Sequence, residues 1–364
     1  MKKTIIRTAA ALIAAVLLLP CEVFAMSAQK AILLDADTGR VLYEKDADSR
    51  SLIASTTKIM TALIVCEQCN VLDRMRIPKE AVGIEGSSMY LKEDEVLTLQ
   101  DLLYGLMLHS GNDAAVALAI YCGGTVEGFA QLMNDKAHRL GLTGTHFENP
   151  NGLDSPNHYS TARDLAVLTA YAMENPIFAQ TVSTKSVRAG GRSLTNHNKL
   201  LWRVDGAEGV KTGYTKAAGR ILVSSAKRDG RRLIAVTIND GNDWADHASL
   251  LNDGFSRYTV QSIIASGVCV GTKTVLGGER ETVKLLAKEG FSFPLAADER
   301  TQIVISGPEF VYAPVVAGAD AGFAYVCIGD KCVGKVPLQY AQTVEIKQPE
   351  TKKHFWDGWF GGNK

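Results

Sequence analysis

The sequence lacks any imbalance of charge. Its 364 residues carry 39 Lys and Arg against 39 Asp and Glu, so no basic excess marks a nucleic-acid partner. It also lacks an H-E-x-x-H or any comparable histidine cluster, which removes the usual sequence signal for a metal-dependent hydrolase. No internal repeat or low-complexity linker interrupts it. The notable apolar run is at the start, from Ala9 to Leu19 behind Lys2, Lys3 and Arg7. That run is too short to span a bilayer comfortably and has the form of a secretory signal. Residues 1–25 are therefore expected to be removed after Ala25, where Val23-Phe24-Ala25 offers small residues, with a cut after Ala28 as the alternative. Cys21 invites a lipid anchor, but Pro20 sits where a small residue is wanted. The reading is an exported protein, slightly negative once processed, working at the outer face of the cytoplasmic membrane or in the cell wall or periplasm.

What is present is a large apolar content, 46% hydrophobic residues, enough for a sizeable core and two domains. Six cysteines follow the signal: Cys66, Cys69, Cys122, Cys269, Cys327 and Cys332. Export permits disulfides, but spacing does not give the pairings. Cys327 and Cys332 bracket "IGDK", a hairpin-like turn, and can face each other across two strands. Cys66 and Cys69 form a C-x-x-C inside an apolar helical run, without a βαβ context or a second C-x-x-C. Buried thiols or one local disulfide fit that setting better than redox chemistry or zinc.

"AILLDADTGRVLYE" reads as two strands around a turn, and helical spacing follows at 56–69, 98–108, 113–122, 125–140 and 161–174. Thr98 and Thr161 stand as helix caps. "RILVSSA" and "RLIAVTI" form a hairpin, and "WADHASLLNDGFSRY" a closing helix. Strands, then helices, then strands predict an α+β domain over 26–258 whose antiparallel sheet is built from both ends of the segment. Short β-like runs over 259–347 predict a small all-β domain. The tail, 348–364, gathers Phe355, Trp356, Trp359 and Phe360 beside Lys352 and Lys353, which suits an amphipathic segment lying on a membrane surface.

The candidate chemistry begins at "LIASTTKIMTALIV". Ser55 and Lys58, three residues apart where a helix begins, share one helical face. A lysine in dry surroundings loses its proton near neutrality and serves a neighbouring hydroxyl as base. The plainer explanation is that Ser55 or Thr56 caps the helix. S-x-x-K occurs three times, but Ser27–Lys30 lies in a segment expected to be loose. Ser224–Lys227 lies on a strand, where residues three apart point to opposite faces. "LHSGNDAA" places Ser110 and Asn112 at a break between helices, where a capping pair is the plainer reading. Ser155 and Asn157 repeat its S-x-N spacing. "EGVKTGYTKAAG" holds the one K-T-G, in which Lys211, Thr212 and Thr215 offer a charge and hydroxyls to an anion. Gly213 there admits a close substrate backbone.

S-x-x-K, S-x-N and K-T-G in this order are the motifs of penicillin-binding proteins and class A β-lactamases. With "GSSMYL", "NPNGLDSPNHYSTARDLA" and "TNHNKLL" between them, residues 27–258 resemble the low-molecular-mass penicillin-binding proteins, serine-type D-Ala-D-Ala carboxypeptidases. The resemblance implies a penicillin-interacting serine-peptidase fold, no cofactor or metal, peptidoglycan stem peptides as substrate and β-lactams as covalent inhibitors. It implies Ser55 as nucleophile, Lys58 as its base, Ser110 as proton relay and Asn112 as the residue positioning Lys58 and the substrate amide. Lys211 would assist electrostatically, Thr212 and Thr215 would hold the terminal carboxylate, the N–H groups of Ser55 and Tyr214 would form the oxyanion hole, and Gly213 would belong to the substrate-binding strand. A class A β-lactamase is disfavoured by Ser110-Gly111-Asn112 in place of S-D-N and by the extra β domain. A catalytically idle wall-binding protein and a transpeptidase or endopeptidase remain as rivals that the motifs alone do not separate.

Overall fold

The computed structural model describes residues 26–349, and the chain divides after Gly254 into two compact units. The expected signal peptide and the aromatic residues of the tail lie outside the described residues.

In the first unit, β1 (Lys30–Asp35) and β2 (Val41–Lys45) form a hairpin. Two smaller hairpins pair β3 (Arg74–Arg76) with β4 (Val96–Thr98) and β5 (Ser186–Ala189) with β6 (Arg192–Thr195). Strands β7 (Ala207–Thr215), β8 (Gly219–Arg228) and β9 (Arg231–Ile238) complete a five-stranded sheet in the order β2-β1-β9-β8-β7. The β1–β9 pairing, from Lys30↔Ile238 to Asp35↔Leu233, joins the two ends of the segment as expected.

The helices are α1 (Lys58–Gln68), α2 (Leu99–Leu108), α3 (Asn112–Gly123), α4 (Val126–Arg139), α5 (Ala162–Ala172), α6 (Pro176–Ser183) and α7 (Asp243–Arg257). Thr98 closes a capping box with Asp101 on α2, and Thr161 caps α5 by accepting from the Asp164 N–H. Helix α6 and the β5–β6 hairpin were not foreseen. Asn175 caps α6 through the N–H groups of Ile177 and Phe178, with Pro176 at its first position.

Helix α1 is buried from Lys58 to Cys66 and packs against α2, α3 and α5. A helix enclosed on all sides belongs to the core. Truncating Leu63 or Ile64 there to Ala is expected to cost about 2–5 kcal/mol. Cys69, at the extended C-cap of α1, is bonded to Cys122 near the end of α3. The C-x-x-C therefore does not close on itself: Cys66 stays on the buried helix as a free thiol, its pKa pushed up to about 12 by burial. Ser27 is not loose either. Its N–H and hydroxyl bind Asp246, and the hydroxyl also binds Asp240.

The second unit is all β, as predicted. Strands β10 (Tyr258–Ile264) and β13 (Phe291–Ala296) pair with each other. The others are β11 (Cys269–Leu276), β12 (Thr282–Ala287), β14 (Thr301–Ile305), β15 (Phe310–Tyr312), β16 (Asp320–Ile328) and β17 (Lys331–Tyr340). They form a six-stranded sheet in the order β14-β16-β17-β12-β11-β15. Leu285, Ala324, Val326 and Leu338 are central to one of its small cores. No single helix among the described residues is long and apolar enough to cross a membrane.

Candidate active site

Ser55 lies on a 3-10 turn, Ala54–Thr57, that feeds directly into α1. Neither it nor Thr56 caps the helix: the N-cap position is Thr57, without a side-chain bond, and the Thr56 hydroxyl donates back to the Ile53 carbonyl at 2.6 Å. The capping explanation fails, and the Ser55 hydroxyl faces Lys58 instead.

Lys58 is wholly buried, and its Nζ lies 3.0 Å from Ser55 Oγ, 2.7 Å from Asn112 Oδ1 and 2.6 Å from the Asn151 carbonyl. Asn112 Nδ2 donates to the Glu85 carbonyl at 2.6 Å, which fixes the amide with Oδ1 toward the lysine. Two of the three Nζ contacts are thus to atoms that only accept. Once the amine is neutral, its two hydrogens serve those acceptors and its lone pair faces Ser55 Oγ–H. The pKa of Lys58 is driven well below that of an ordinary lysine, first by burial and then by the Lys211 charge, while Asp113 acts in the opposite sense.

The surrounding chain is shaped to hold this contact. Ser110 is buried with φ +60° in the break between α2 and α3, and neither it nor Asn112 serves as a cap. Asp113 accepts from the Ser88 hydroxyl at 2.6 Å and from the Met89 and Leu91 N–H groups, pinning "GSSMYL" over the start of α3. Thr57 and Thr61 bind His158 and the Pro150 carbonyl, which lays "NPNGLDSPNHYS" along the first turns of α1. Gly152 is needed there, because a Cβ would sit 1.9 Å from the Ala54 carbonyl oxygen. Ser155 and Asn157, the rival S-x-N, bind the Glu148 carboxylate of this same loop.

Lys211, Thr212, Gly213, Tyr214 and Thr215 occupy the end of β7, an edge strand of the five-stranded sheet. A Cβ on Gly213 would lie 3.2 Å from the Ile53 carbonyl and 3.3 Å from Ser55 N, so glycine lets β7 run tight against the turn that carries Ser55. Lys211 is buried, donates to the Thr212 carbonyl at 2.8 Å, and has its pKa lowered to about 7 by burial. Thr215 Oγ1 accepts from the Ala218 N–H at 3.0 Å, leaving its own hydrogen to donate. Tyr214 is exposed.

Ser55, Ser110, Thr212, Gly213 and Tyr214 open onto one cleft of about 640 Å³. Its wall includes residues that sequence reasoning missed: Ser87, His197, Arg220, Asp243 and Trp244. Arg220 Nε and Nη2 donate to the Asp243 carboxylate at 3.1 and 2.5 Å, while its side chain keeps 45% exposure. A signal for Arg220 existed: counting the hairpin register from K-T-G sets it directly opposite Tyr214. The third S-x-x-K is structural, because Ser224 is buried and bonded to His247 Nδ1 at 2.6 Å while Lys227 is exposed.

A hydroxyl held against a buried amine, beside a second buried lysine and an open strand edge, is the apparatus of a serine acyl-transfer enzyme. Residues 19–242 match the family described as D-alanyl-D-alanine carboxypeptidase, and residues 258–346 match the penicillin-binding protein 5 C-terminal domain. D-alanyl-D-alanine carboxypeptidase DacD of Escherichia coli is 34% identical over 335 residues, covering 86% of each chain. DacF of Bacillus subtilis is 32% identical over 314 residues, covering 82% of this chain and 81% of its own. Among solved structures, penicillin-binding protein 5 from Haemophilus influenzae superposes with TM-score 0.74 at 29% identity, covering 88% of this chain and 98% of that one. The chain belongs to the D-alanyl-D-alanine carboxypeptidase family, the low-molecular-mass penicillin-binding proteins.

Proposed function

We propose that the protein removes the terminal D-alanine from peptidoglycan stem pentapeptides through an acyl-enzyme on Ser55, and that penicillin acylates the same serine. The observation that carries this reading is the 3.0 Å contact between Lys58 Nζ and Ser55 Oγ, with the other Nζ contacts filled by acceptors. Neutral Lys58 takes the Ser55 proton as Oγ attacks the carbonyl between the two D-alanines. The oxyanion is held by the N–H groups of Ser55 and Tyr214, whose strand Gly213 brings close to the serine. Ser110 relays a proton to the departing amine, and D-alanine leaves. Asn112 positions Lys58 and the substrate amide. Water then hydrolyses the ester and restores the serine. A β-lactam follows the same first step, but its amine stays tethered after ring opening.

The leaving residue ends in a carboxylate. Lys211 supplies positive potential, while the hydroxyls of Thr212 and Thr215 hold that carboxylate. We add Arg220 to this set, since its guanidinium lines the cleft and Asp243, in the same wall, fixes it through Nε and Nη2. We also propose that the chain is exported through residues 1–25 and that its tail, 348–364, rests on a membrane surface. The catalytic domain spans 26–258 and the all-β domain 259–347.

The test is release of free D-alanine from an acyl-Lys-D-Ala-D-Ala peptide by residues 26–364, beside Ser55→Ala. Release by the parent alone is expected. No release from folded parent sinks the carboxypeptidase reading for this substrate, and penicillin labelling of Ser55 then separates a different acyl acceptor from an idle binder.

A further inference from the structure

The second unit carries two cysteines that the catalytic scheme does not use. Cys327 on β16 and Cys332 on β17 are direct cross-strand partners, one step inside the Ile328↔Lys331 pair that closes the turn at Gly329 and Asp330. Opposed residues of an antiparallel ladder hold their Cβ atoms about 4.5–5.5 Å apart. A disulfide asks for about 3.5–4.5 Å, a small adjustment for a hairpin tip. Both cysteines are free thiols, and the neighbouring Cys332 pushes the pKa of the Cys327 thiol up. Their exposure differs: Cys332 is open to solvent and Cys327 is covered, at 8%. The ladder is irregular between Val326 and Cys327, so register near the tip is less firmly fixed by backbone pairing than elsewhere along these strands.

We propose that Cys327 and Cys332 are a redox pair that closes into a cross-strand disulfide and locks the tip of the β16–β17 hairpin. The oxidant is itself a disulfide, either a small one such as oxidised glutathione or that of an oxidoreductase. The Cys332 thiolate attacks one sulfur of the oxidant, breaking its S–S bond, releasing one thiolate and forming a mixed disulfide. The Cys327 thiolate then attacks the Cys332 sulfur and expels the second thiolate. The two protons lost by the cysteines end on the two thiols of the reduced oxidant, so the exchange balances. The difference in exposure sets the order, with Cys332 attacking first and Cys327 resolving. Because β16 and β17 are adjacent inner strands of the six-stranded sheet, the bond joins two inner strands at their turn and involves no edge strand.

The experiment equilibrates residues 26–364 with oxidised glutathione, unfolds the protein in an alkylating reagent, and maps the peptides by mass spectrometry. The expected result is an internal Cys327–Cys332 link, unalkylated at both positions, that reduction opens. Two alkylated thiols, a lasting glutathione adduct on Cys332 or a link from either residue to Cys269 would each overturn the proposal. Cys332→Ser provides the second measurement. The parent's second unit is expected to melt a few degrees higher oxidised than reduced, the variant's to show no such difference, and D-alanine release to be the same in both. Equal melting of the oxidised and reduced parent would refute the lock even if the bond forms.

Discussion

The two units obey burial rules differently. The first encloses Lys58, Lys211, Asp113, His158 and His247, each at most 1% exposed. Among the described residues of the second, the one buried ionisable side chain other than cysteine is Lys273, whose ammonium donates to the Ser306 carbonyl at 3.1 Å. Burying an ionisable group costs free energy unless it is paired or neutral. A fold needing only stability has little reason to bury so many, and the second unit does not. In the first, Lys58 contacts Ser55, Lys211 lies on the neighbouring strand, and Asp113 and His158 hold loops beside them, while others such as Asp35 with Arg231 and Lys136 with Glu67 are ion pairs. Violations of this kind are expected where chemistry is done.

The strongest way to break this comparison is Lys58→Met. If the lysine is there for chemistry, penicillin acylation and D-alanine release should fall by about 10³-fold or more. The melting temperature should hold or rise, because a buried amine has been exchanged for an apolar chain of similar length. Lys273→Met in the second unit should leave both activities unchanged. A Lys58→Met protein that unfolds while Lys273→Met does not would make Lys58 a structural residue.

Acid sharpens the contrast next. His158 and His247 are held neutral by burial, with pKa values lowered to about 4 and about 3. Between those values and the ordinary histidine range near 6.5, the unfolded chain binds protons that the folded chain refuses. Stability from these groups is therefore full above about pH 6.5 and lost as pH falls through about 4 and 3, at about 1.4 kcal/mol per unit and group. The second unit has no histidine among its described residues. Pepsin digestion at falling pH should cut first before Gly254. Earlier cleavage beyond it would show that the buried histidines do not control acid stability.

How much of this was legible in the sequence depends on how local each feature is. Ser55 and Lys58 sit one helical turn apart, so a short window contains their contact. The same holds for the caps at Thr98 and Thr161 and for the β8–β9 hairpin. The β1–β9 pairing was inferred only from the order of strand and helix patterns. The Asn151 carbonyl on Lys58 could not be read at all, since a backbone atom leaves no residue-type signal and lies 93 positions away. Cys69–Cys122 escaped because its partners, though visible as cysteines, lie 53 residues apart, while the nearer Cys66 misled. Arg220 was within reach through hairpin register, but a lone arginine after a turn looks like an ordinary solvated charge.

Arg220→Ala tests whether the missed wall belongs to the site. With Asp243 holding Nε and Nη2, Nη1 is the nitrogen left to donate to a carboxylate. Its loss should raise KM for a peptide ending in free D-alanine about tenfold, the effect of about 1.4 kcal/mol, with little change in kcat. A substrate whose C-terminus is an amide should bind parent and variant alike. Equal KM values for the acid substrate would remove Arg220 from the recognition set and leave Thr212 and Thr215 to act alone.

The smallest effect concerns how the two lysines influence each other. With neutral Lys58 as the proposed base, the acylation rate should fall as pH drops and the amine regains its proton. After burial, the largest influence lowering the Lys58 pKa is the charge of Lys211, and Asp113 raises it. Lys211→Met removes a positive neighbour, so the Lys58 pKa should rise and the acid limb of penicillin acylation should move to higher pH. Asp113→Asn removes a negative neighbour, and the limb should move the other way. Each displacement should be below about one pH unit, because burial, which neither substitution alters, dominates the shift. The sign is the discriminating readout: a merely loosened site would slow acylation at every pH without moving the limb. Opposite displacements would tie the limb to Lys58 acting between these two charges. Displacement of both variants in one direction would assign the limb to another group.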